Sequence, residues 1–354
     1  MSEITLLNGY PGSKADYSAL YQGFLNENAT KYIEPYVGGG GFFLSLPRGK
    51  YQEEYINDKN VGIAQLYQSL WLPERREKVL PALLDIDKSP DKDIATEQWK
   101  KAKSEFVYDI NSYKYKTDDY LKNCVNTYIV YSQSFNCSGI SYSHHKSPEK
   151  YKFETRRNLL NVVNTLRGRN LHINANDALD ELYDEELIDH NVQFFLDPPY
   201  VGLYCNSRTN YIVNSTGLSY HMKLLFMIRN AKASVILCGY RPSVEGVPCI
   251  YDVILSKSGW HCYKIKETVK KSQIVKLGHK KTKATEYIWT NHVPRRAAYY
   301  VSMHDYKENI SWEEYWRKIK QCYIDGLISK KDYKEYCFAY SEFYKGKKEL
   351  DALI

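Results

Sequence analysis

The feature that most constrains this chain is a short apolar run that ends in an acid, two prolines and a tyrosine, FFLDPPY at residues 194–200. The apolar stretch from Val192 to Leu196 predicts a buried strand of a parallel sheet, and the two prolines cannot continue its hydrogen-bond ladder. Asp197 is therefore expected where the strand ends. In open α/β sheets, ligands bind outside the carboxyl ends of the strands, so this position predicts a binding site.

The residues after this strand offer hydrogen-bond acceptors and an aromatic ring to a ligand. Pro198 and Pro199 fix the backbone φ and withhold two N–H donors, which leaves carbonyl oxygens exposed beside the Asp197 carboxylate. A pair of acceptors suits a substrate with an NH2 group, and Tyr200 offers a flat ring to a planar substrate. An ordinary capped turn at a strand end would use the same residues, so the interpretation depends on the rest of the sequence.

A second candidate element is the run of four glycines at residues 38–41, which follows a predicted strand ending at Glu34 and precedes a predicted apolar helix. Glycine lets the backbone approach a ligand closely. The next strand leads to Asn57 and Asp58, about 20 residues beyond the glycines, where an acid bonds ribose hydroxyls in nucleoside-binding folds. Neither the Gly-x-Gly-x-x-Gly spacing nor a Gly-x-x-x-x-Gly-Lys-Ser/Thr phosphate loop is present.

Composition restricts the class of protein only loosely. The 354 residues suffice for two domains, and a net charge of +7 with a pI near 8.7 is a mild indication of a polyanionic partner. The chain has no signal-like or membrane-length apolar segment, so we expect a cytoplasmic protein. The eight cysteines are scattered without zinc spacing, so reduced thiols and no metal site are expected.

Four segments together resemble the Dam-type class of DNA adenine-N6 methyltransferases, which use S-adenosyl-L-methionine. They occur in the family's order: YPGSK at 10–14, EPYVGGG at 34–40, ND at 57–58 and DPPY at 197–200. The resemblance covers residues 1 to about 70 and 170 to about 293. It implies an α/β fold, a Rossmann-like methyltransferase sheet with a helical target-recognition insertion and a C-terminal helical hairpin. Tyr10 departs from the family, whose members often carry Trp there, but keeps an aromatic ring.

The resemblance also implies roles for individual residues. The implied catalytic residues are Asp197, Pro198 and Tyr200. The implied cofactor-binding residues are Tyr10, Lys14, Glu34, Gly38, Gly40, Asp58, Asp177 and Asp197. In this scheme Asp58 holds the ribose, and Asp197 lies between cofactor and base. Asp177 is expected to accept from the cofactor's adenine amine, with a helix N-cap as the alternative.

The predicted domains are a catalytic domain formed by 1–71 and 171–295, a target-recognition insertion at 72–170, and a helical appendage at 296–354. In the insertion, amphipathic helices are predicted from Thr96 to Ile110, from Tyr120 to Tyr131 and from Phe153 to Leu166. The segment 134–146 resembles the family's DNA-probing hairpin, with Ile140 as an apolar wedge.

The candidate DNA contacts lie in this segment, in the arginines that follow it and in two later connectors. They are Ser138, Ile140, Tyr142, His144, Lys146, Arg156, Arg157, Arg208, Lys280 and Lys281. Arg167 and Arg169 are further phosphate-contact candidates. For any single arginine, a solvated helix face is the alternative.

The tail is predicted to form a helical hairpin. Ser311-x-x-Glu314 and Ser329-x-x-Asp332 are capping boxes, and aromatic residues recur after each at helical spacing. The aromatic stripe is expected to be core or interface, and self-association through the hairpin is one expectation.

These observations predict an enzyme that transfers a methyl group from S-adenosyl-L-methionine to a flipped adenine in double-stranded DNA. The alternatives are an amino-methyltransferase acting on RNA or on cytosine N4, whose relatives usually carry Asn or Ser in place of Asp197, and a non-catalytic DNA-binding protein of the same fold. A cytosine-C5 enzyme would need a nucleophilic cysteine, which the 194–200 segment lacks.

Overall fold

The computed structural model describes residues 4–105, 117–144, 147–201, 204, 217–269, 283–294, 303–304 and 310–351, without the side chains of 266–269, 283–284, 303–304 and 346–351. The chain divides into two compact units. The first contains Met1–Gln22 and Asn28–Glu181, and the second contains Gly23–Glu27, Leu182–Thr209 and Asn214–Ile354. Each unit includes part of the predicted catalytic domain, and the predicted domain bounds stay a prediction.

The first unit is built on three parallel strands in the order β3-β2-β1. Their bounds are β1 (Lys31–Glu34), β2 (Glu53–Asn57) and β3 (Leu171–Asn174). The helices of this unit are α1 (Ser18–Gln22), α2 (Val61–Trp71), α3 (Pro73–Leu84), α4 (Lys92–Ser104), α5 (Tyr120–Ser132) and α6 (Pro148–Leu166). Asn57 is the last residue of β2 and Asp58 follows it, so both lie at the strand end that the sequence predicts.

The second unit contains the buried strand that leads to Asp197. Its strands are β4 (Val192–Leu196), β5 (Ser234–Tyr240), β6 (His261–Val269), β7 (Lys283–Thr290) and β8 (Met303–His304), in the order β4-β5-β7-β6-β8. Its helices are α7 (Asp184–Ile188), α8 (Leu218–Ile228), α9 (Ile250–Leu255), α10 (Trp312–Ile324) and α11 (Lys330–Asp351). All five residues of β4 are buried, and β4 pairs in parallel with β5. The expected α/β fold class is confirmed.

Several helices begin or end differently from the sequence prediction. The apolar helix expected after the glycines is only a single 3-10 turn, Phe43–Ser45, because Pro47 holds Leu46 in an extended conformation. Helix α6 begins at Pro148 rather than Phe153, since Ser147 caps it and proline suits the first helical position. Residues 106–110 of the first predicted insertion helix lie outside the described residues.

The tail forms the predicted helical hairpin, α10 and α11, and packs against α8. The Phe226 ring lies 5.6 Å from Trp312 and 5.4 Å from Phe343, between ring centroids. Tyr315 and Tyr336 are buried, so the aromatic stripe contributes to the core of the second unit. Among the helices described, none is long and apolar enough to cross a membrane.

One arginine has a different role from the expected phosphate contact. Arg169 is buried and pairs with the equally buried Glu54 of β2, with 2.5 Å between Nη1 and Oε1. Its other donors bond the backbone oxygens of Thr165 and Leu46. Burial raises the pKa of Glu54, while Arg169 opposes that shift. Arg169 therefore supplies the counter-charge of the buried Glu54 carboxylate inside the first unit and is not a surface contact.

Candidate active site

The glycine loop of the first unit closes tightly around aromatic side chains. Gly38 and Gly40 have positive φ values of 49° and 69°, which only glycine adopts without strain. A Cβ atom on Gly38 would lie 2.7 Å from the Tyr10 ring, and one on Gly40 would lie 2.0 Å from the Tyr67 hydroxyl. The Tyr67 hydroxyl also donates to the Gly38 oxygen at 3.3 Å. The loop conformation thus requires these glycines and brings Tyr10 against it.

Asp58 is positioned by two backbone donors. Its Oδ2 accepts from Gly38 N at 2.9 Å, and its Oδ1 accepts from Asn60 N at 2.8 Å. Burial raises the pKa of Asp58 from 3.8 to about 6, and the two N–H bonds partly oppose this shift. A carboxylate has about four lone-pair positions, so this side chain retains acceptor capacity after these two bonds.

Two residues that the sequence reasoning missed support this part of the site. The Asn60 side chain caps α2 and donates to the Tyr131 hydroxyl of α5 at 2.5 Å. The Tyr131 ring in turn lies 5.9 Å from the Tyr10 ring. Since Tyr131 is 71 residues from Asn60, no local pattern in the sequence indicates this contact.

Asn57 organises the loops that follow the parallel strands. Its Nδ2 donates to the oxygens of Pro35 and Asn176, and its Oδ1 accepts from Asn176 N at 2.8 Å. The sequence placed Asn57 at the strand end but did not predict this role. Its bonds fix the loops after β1 and β3 relative to β2.

The other predicted cofactor residues of the first unit form hydrogen bonds or ion pairs with other groups of the same unit. Lys14 is buried, and its Nζ donates to the Gly12 oxygen at 2.8 Å. Glu34 is buried, and its carboxylate accepts from the Tyr32 hydroxyl at 2.5 Å. Asp177 pairs with Lys59 at 2.6 Å and accepts from Leu179 N at 3.1 Å. The Asp177 geometry is that of the helix-capping alternative, and its cofactor role stays a prediction.

In the second unit, Tyr200 lies between two carboxylates. Its hydroxyl bonds Asp197 Oδ1 at 3.0 Å and also bonds Glu286 Oε1, from β7. The Tyr200 ring packs edge-on against Tyr240, with 4.5 Å between the ring centroids. Glu286 was not predicted from the sequence, because nothing local links it to a residue 86 positions away. These contacts hold Tyr200 beside Asp197 at the end of β4.

The proline segment is anchored by a buried histidine. His221 Nε2 lies 2.9 Å from the Pro199 oxygen, and His221 Nδ1 lies 2.6 Å from the Tyr251 hydroxyl. Burial lowers the pKa of His221 from 6.5 to about 4, with the bond to Pro199 opposing the shift. The imidazole is therefore neutral at neutral pH.

Within the segment predicted to be a DNA-probing hairpin, residues 134–142 form a loop closed by an antiparallel bridge between Ser134 and Tyr142. Asn136 and Cys137 have positive φ values of 50° and 52°, a conformation that is uncommon outside glycine. Ser138 is buried, and its hydroxyl donates to the Phe135 oxygen at 2.8 Å. The hydroxyl proton of Ser138 is therefore donated within the loop. The DNA contact of Ser138 stays a prediction.

The remaining candidate DNA contacts differ in exposure. Ile140 is 48% exposed, whereas Tyr142 is half-buried against the Trp99 cluster. His144 is exposed, and its Nδ1 lies 3.1 Å from the Tyr142 hydroxyl. Arg156 and Arg157 of α6 are both exposed. Four further candidates lie outside the described residues: Lys146, Arg208, Lys280 and Lys281.

The family relationship rests on a sequence comparison. The family model for the D12 class of N6 adenine-specific DNA methyltransferases matches residues 10–234, which is more than half of the chain. A search of curated proteins found no match. The matched range includes the glycine loop at 38–41, Asp58, the loop closed by Ser134 and Tyr142, and the strand end at Asp197. The chain therefore belongs to the D12 class of N6 adenine-specific DNA methyltransferases.

Proposed function

We propose that this adenine methyltransferase transfers the methyl group of S-adenosyl-L-methionine to N6 of an adenine turned out of double-stranded DNA. The observation that carries the proposal is the turn at residues 197–200, which follows the fully buried strand β4. Tyr200 bonds Asp197, and His221 bonds the Pro199 oxygen. A carboxylate and a row of proline carbonyls are thereby held at one strand end.

The chemistry follows from the nature of the substrate. The adenine amine is a poor nucleophile because its lone pair is delocalised into the ring. Asp197 and the Pro198 oxygen, by accepting the two amine hydrogens, would favour tetrahedral geometry at nitrogen and localise the lone pair. Preorganised acceptors also stabilise the positive charge that develops on nitrogen during attack.

Adenine N6 is not accessible to this geometry within a base-paired duplex. The base has to be extruded, which costs a few kcal/mol, and a flat side chain can then stack on it. We assign that stacking to Tyr200. Its hydroxyl is held by Asp197 and Glu286, so the orientation of the ring is fixed before the base arrives.

The residues of the first unit fit S-adenosyl-L-methionine by their chemistry. Asp58 has acceptor capacity suited to ribose hydroxyls, Tyr10 offers an aromatic ring, and Gly38 and Gly40 form a turn that side chains would obstruct. Lys14 and Glu34 are assigned to the same site as buried supports, and Asp177 as an acceptor for the adenine amine. When bound, the cofactor supplies an electrophilic methyl group on a sulfonium.

Cofactor affinity is expected to depend on the ionisation of Asp58. Because its pKa is raised to about 6, the carboxylate that accepts from ribose forms as pH rises through this value. Between pH 7 and pH 5, we expect affinity for S-adenosyl-L-methionine to fall about tenfold. Calorimetric titration across this range measures the dependence.

The Asp58→Asn variant is the control for this dependence. It should bind the cofactor more weakly, but with an affinity that stays flat over the same pH range. If cofactor affinity depended equally on pH in the variant and in the wild type, Asp58 would not be the cofactor-binding group that this proposal assigns.

We assign target recognition to the loop around Ser138, Ile140, Tyr142 and His144, with Arg156 and Arg157 contacting phosphates. The predicted contacts Lys146, Arg208, Lys280 and Lys281 belong to the same proposal. Ile140 is the cleanest test because it is exposed, whereas truncating Tyr142 would also disturb packing against Trp99.

Ile140→Ala should weaken discrimination between target and non-target DNA by about 1 to 3 kcal/mol, the typical cost of a lost base contact. Cofactor affinity should stay unchanged. Competition binding and methylation-sensitive sequencing measure the effect. Ile94→Ala, at a 54% exposed isoleucine of α4, is the matched control and should leave site choice intact. Equal effects of the two variants would place recognition elsewhere.

The tail is proposed to serve packing or self-association rather than chemistry. Phe338 of α11 is 60% exposed and Ile324 of α10 is 64% exposed, although the other side of the hairpin is buried. Sedimentation of the wild type and of a Phe338→Glu variant measures this self-association. A wild type that stays monomeric at high concentration would contradict it.

Methyl transfer itself tests the proposed function. The protein is incubated with methyl-labelled S-adenosyl-L-methionine and, in parallel, with double-stranded DNA or RNA. We expect label in DNA and none in RNA. Label preferentially in RNA would overturn the proposed substrate, and binding of DNA without transfer would favour a non-catalytic protein.

A further inference from the structure

The backbone of the two prolines that follow β4 can be held by only a few kinds of hydrogen bond. Pro198 and Pro199 have no backbone N–H, so two consecutive residues cannot be held through their own donors. A group that fixes this segment has to donate to one of its carbonyl oxygens. His221 of α8 meets that requirement, because its Nε2 lies 2.9 Å from the Pro199 oxygen.

The protonation of His221 follows from its two partners. A carbonyl oxygen only accepts, so Nε2 carries the proton and Nδ1 accepts from the Tyr251 hydroxyl, 2.6 Å away. His221 is fully buried, and burial keeps its pKa near 4, so the ring stays neutral. This tautomer is the one that donates to Pro199.

Tyr251 is itself held rigidly. Its ring stacks on Trp289 with 4.7 Å between centroids, and Trp289 Nε1 donates to Asp252 at 2.9 Å. Asp252 pairs with Arg241 at 2.6 Å. These contacts therefore fix the tyrosine that orients the imidazole.

We propose that His221 is a positioning residue for methyl transfer, which acts by holding the Pro199 carbonyl and, through it, the 197–200 turn. Tyr251 fixes the tautomer that makes this bond. The inference rests on the proposed function, in which Asp197 and the Pro198 oxygen accept the amine hydrogens. Displacement of reacting groups by about 1 Å can cost about 10²-fold in rate, so loss of this anchor has a large effect on turnover.

The test compares variants by single-turnover rate, cofactor affinity, DNA affinity and melting temperature. His221→Leu removes both hydrogen bonds and should lower the rate about 10²-fold, with both affinities within about twofold of wild type. His221→Gln retains a donor and should recover at least about tenfold of that loss. Tyr251→Phe keeps the ring and its stacking but loses one hydrogen bond, so it should lower the rate about tenfold.

His292→Leu is the matched control. His292 belongs to the same unit, and its Nε2 likewise bonds a backbone carbonyl, that of Phe24 at 2.7 Å. The control variant should lose melting temperature but keep its rate per folded molecule. A merely structural role for His221 predicts the same behaviour for the two leucine variants.

Two results would overturn the inference. One is a wild-type rate in folded His221→Leu protein, and the other is an equal rate loss in His292→Leu. If His221→Leu does not fold, an unchanged rate in Tyr251→Phe overturns the inference, and a reduced rate supports it. Failure of the proposed function is distinct, because the wild type itself would then transfer no methyl group to DNA.

Discussion

Asp197→Asn is expected to lower the single-turnover rate of adenine methylation by about 10² to 10³-fold while DNA affinity stays near that of the wild type. The carboxamide is nearly isosteric and keeps an oxygen that can accept from Tyr200. The negative charge is lost, and hydrogen bonds to a carboxylate are about twice as strong as those to a neutral acceptor. Methyl groups transferred per folded molecule, measured beside a melting curve, report the effect.

Asp189→Asn is the matched control for this variant. Asp189 precedes β4 in the same unit, and its Oδ1 accepts from Asn191 N at 2.8 Å in an ordinary turn. This variant should keep the wild-type rate. Near wild-type turnover in folded Asp197→Asn protein would show that Asp197 is also only a turn-capping residue.

Arg169→Met is expected to lower the free energy of unfolding by about 3 to 5 kcal/mol. The substitution leaves the Glu54 carboxylate buried without its counter-charge, and the Leu46 oxygen without the Arg169 donor. Chemical denaturation followed by circular dichroism measures the loss. Because Arg169 is buried, DNA affinity of the folded protein should not change.

Lys152→Met supplies the comparison for Arg169. The Lys152 pair with Asp87 has a similar length, 2.8 Å, but both side chains are at least half exposed. Exposed pairs typically contribute about 0 to 1 kcal/mol, so this variant should be nearly as stable as the wild type. Equal losses in the two variants would contradict the stabilising role of the buried pair.

The sequence predicted the elements whose signals are local. The apolar run before Asp197 is a buried strand, and Asn57 and Asp58 stand at a strand end. Proline and glycine alter the backbone conformation within a few residues of their own positions. Their effect can therefore be predicted without knowing which distant residues lie nearby. The same locality explains the two capped helices of the tail, α10 and α11.

The contacts that the sequence did not predict join residues far apart along the chain. Glu286 bonds Tyr200 across 86 positions, and Arg169 pairs with Glu54 across 115. Arg169 resembles a surface arginine because it follows Arg167 and Gly168 at a helix end, and only its partner in β2 accounts for its burial.

The most direct test of the central claim is the chemical identity of the product. Double-stranded DNA is incubated with the protein and S-adenosyl-L-methionine carrying a deuterated methyl group, then digested to nucleosides and analysed by mass spectrometry. We predict deuterated N6-methyldeoxyadenosine from the wild type and at least about 10²-fold less from Asp197→Asn. Deuterium in methylated cytosine, or none in DNA that the protein binds, would contradict the account.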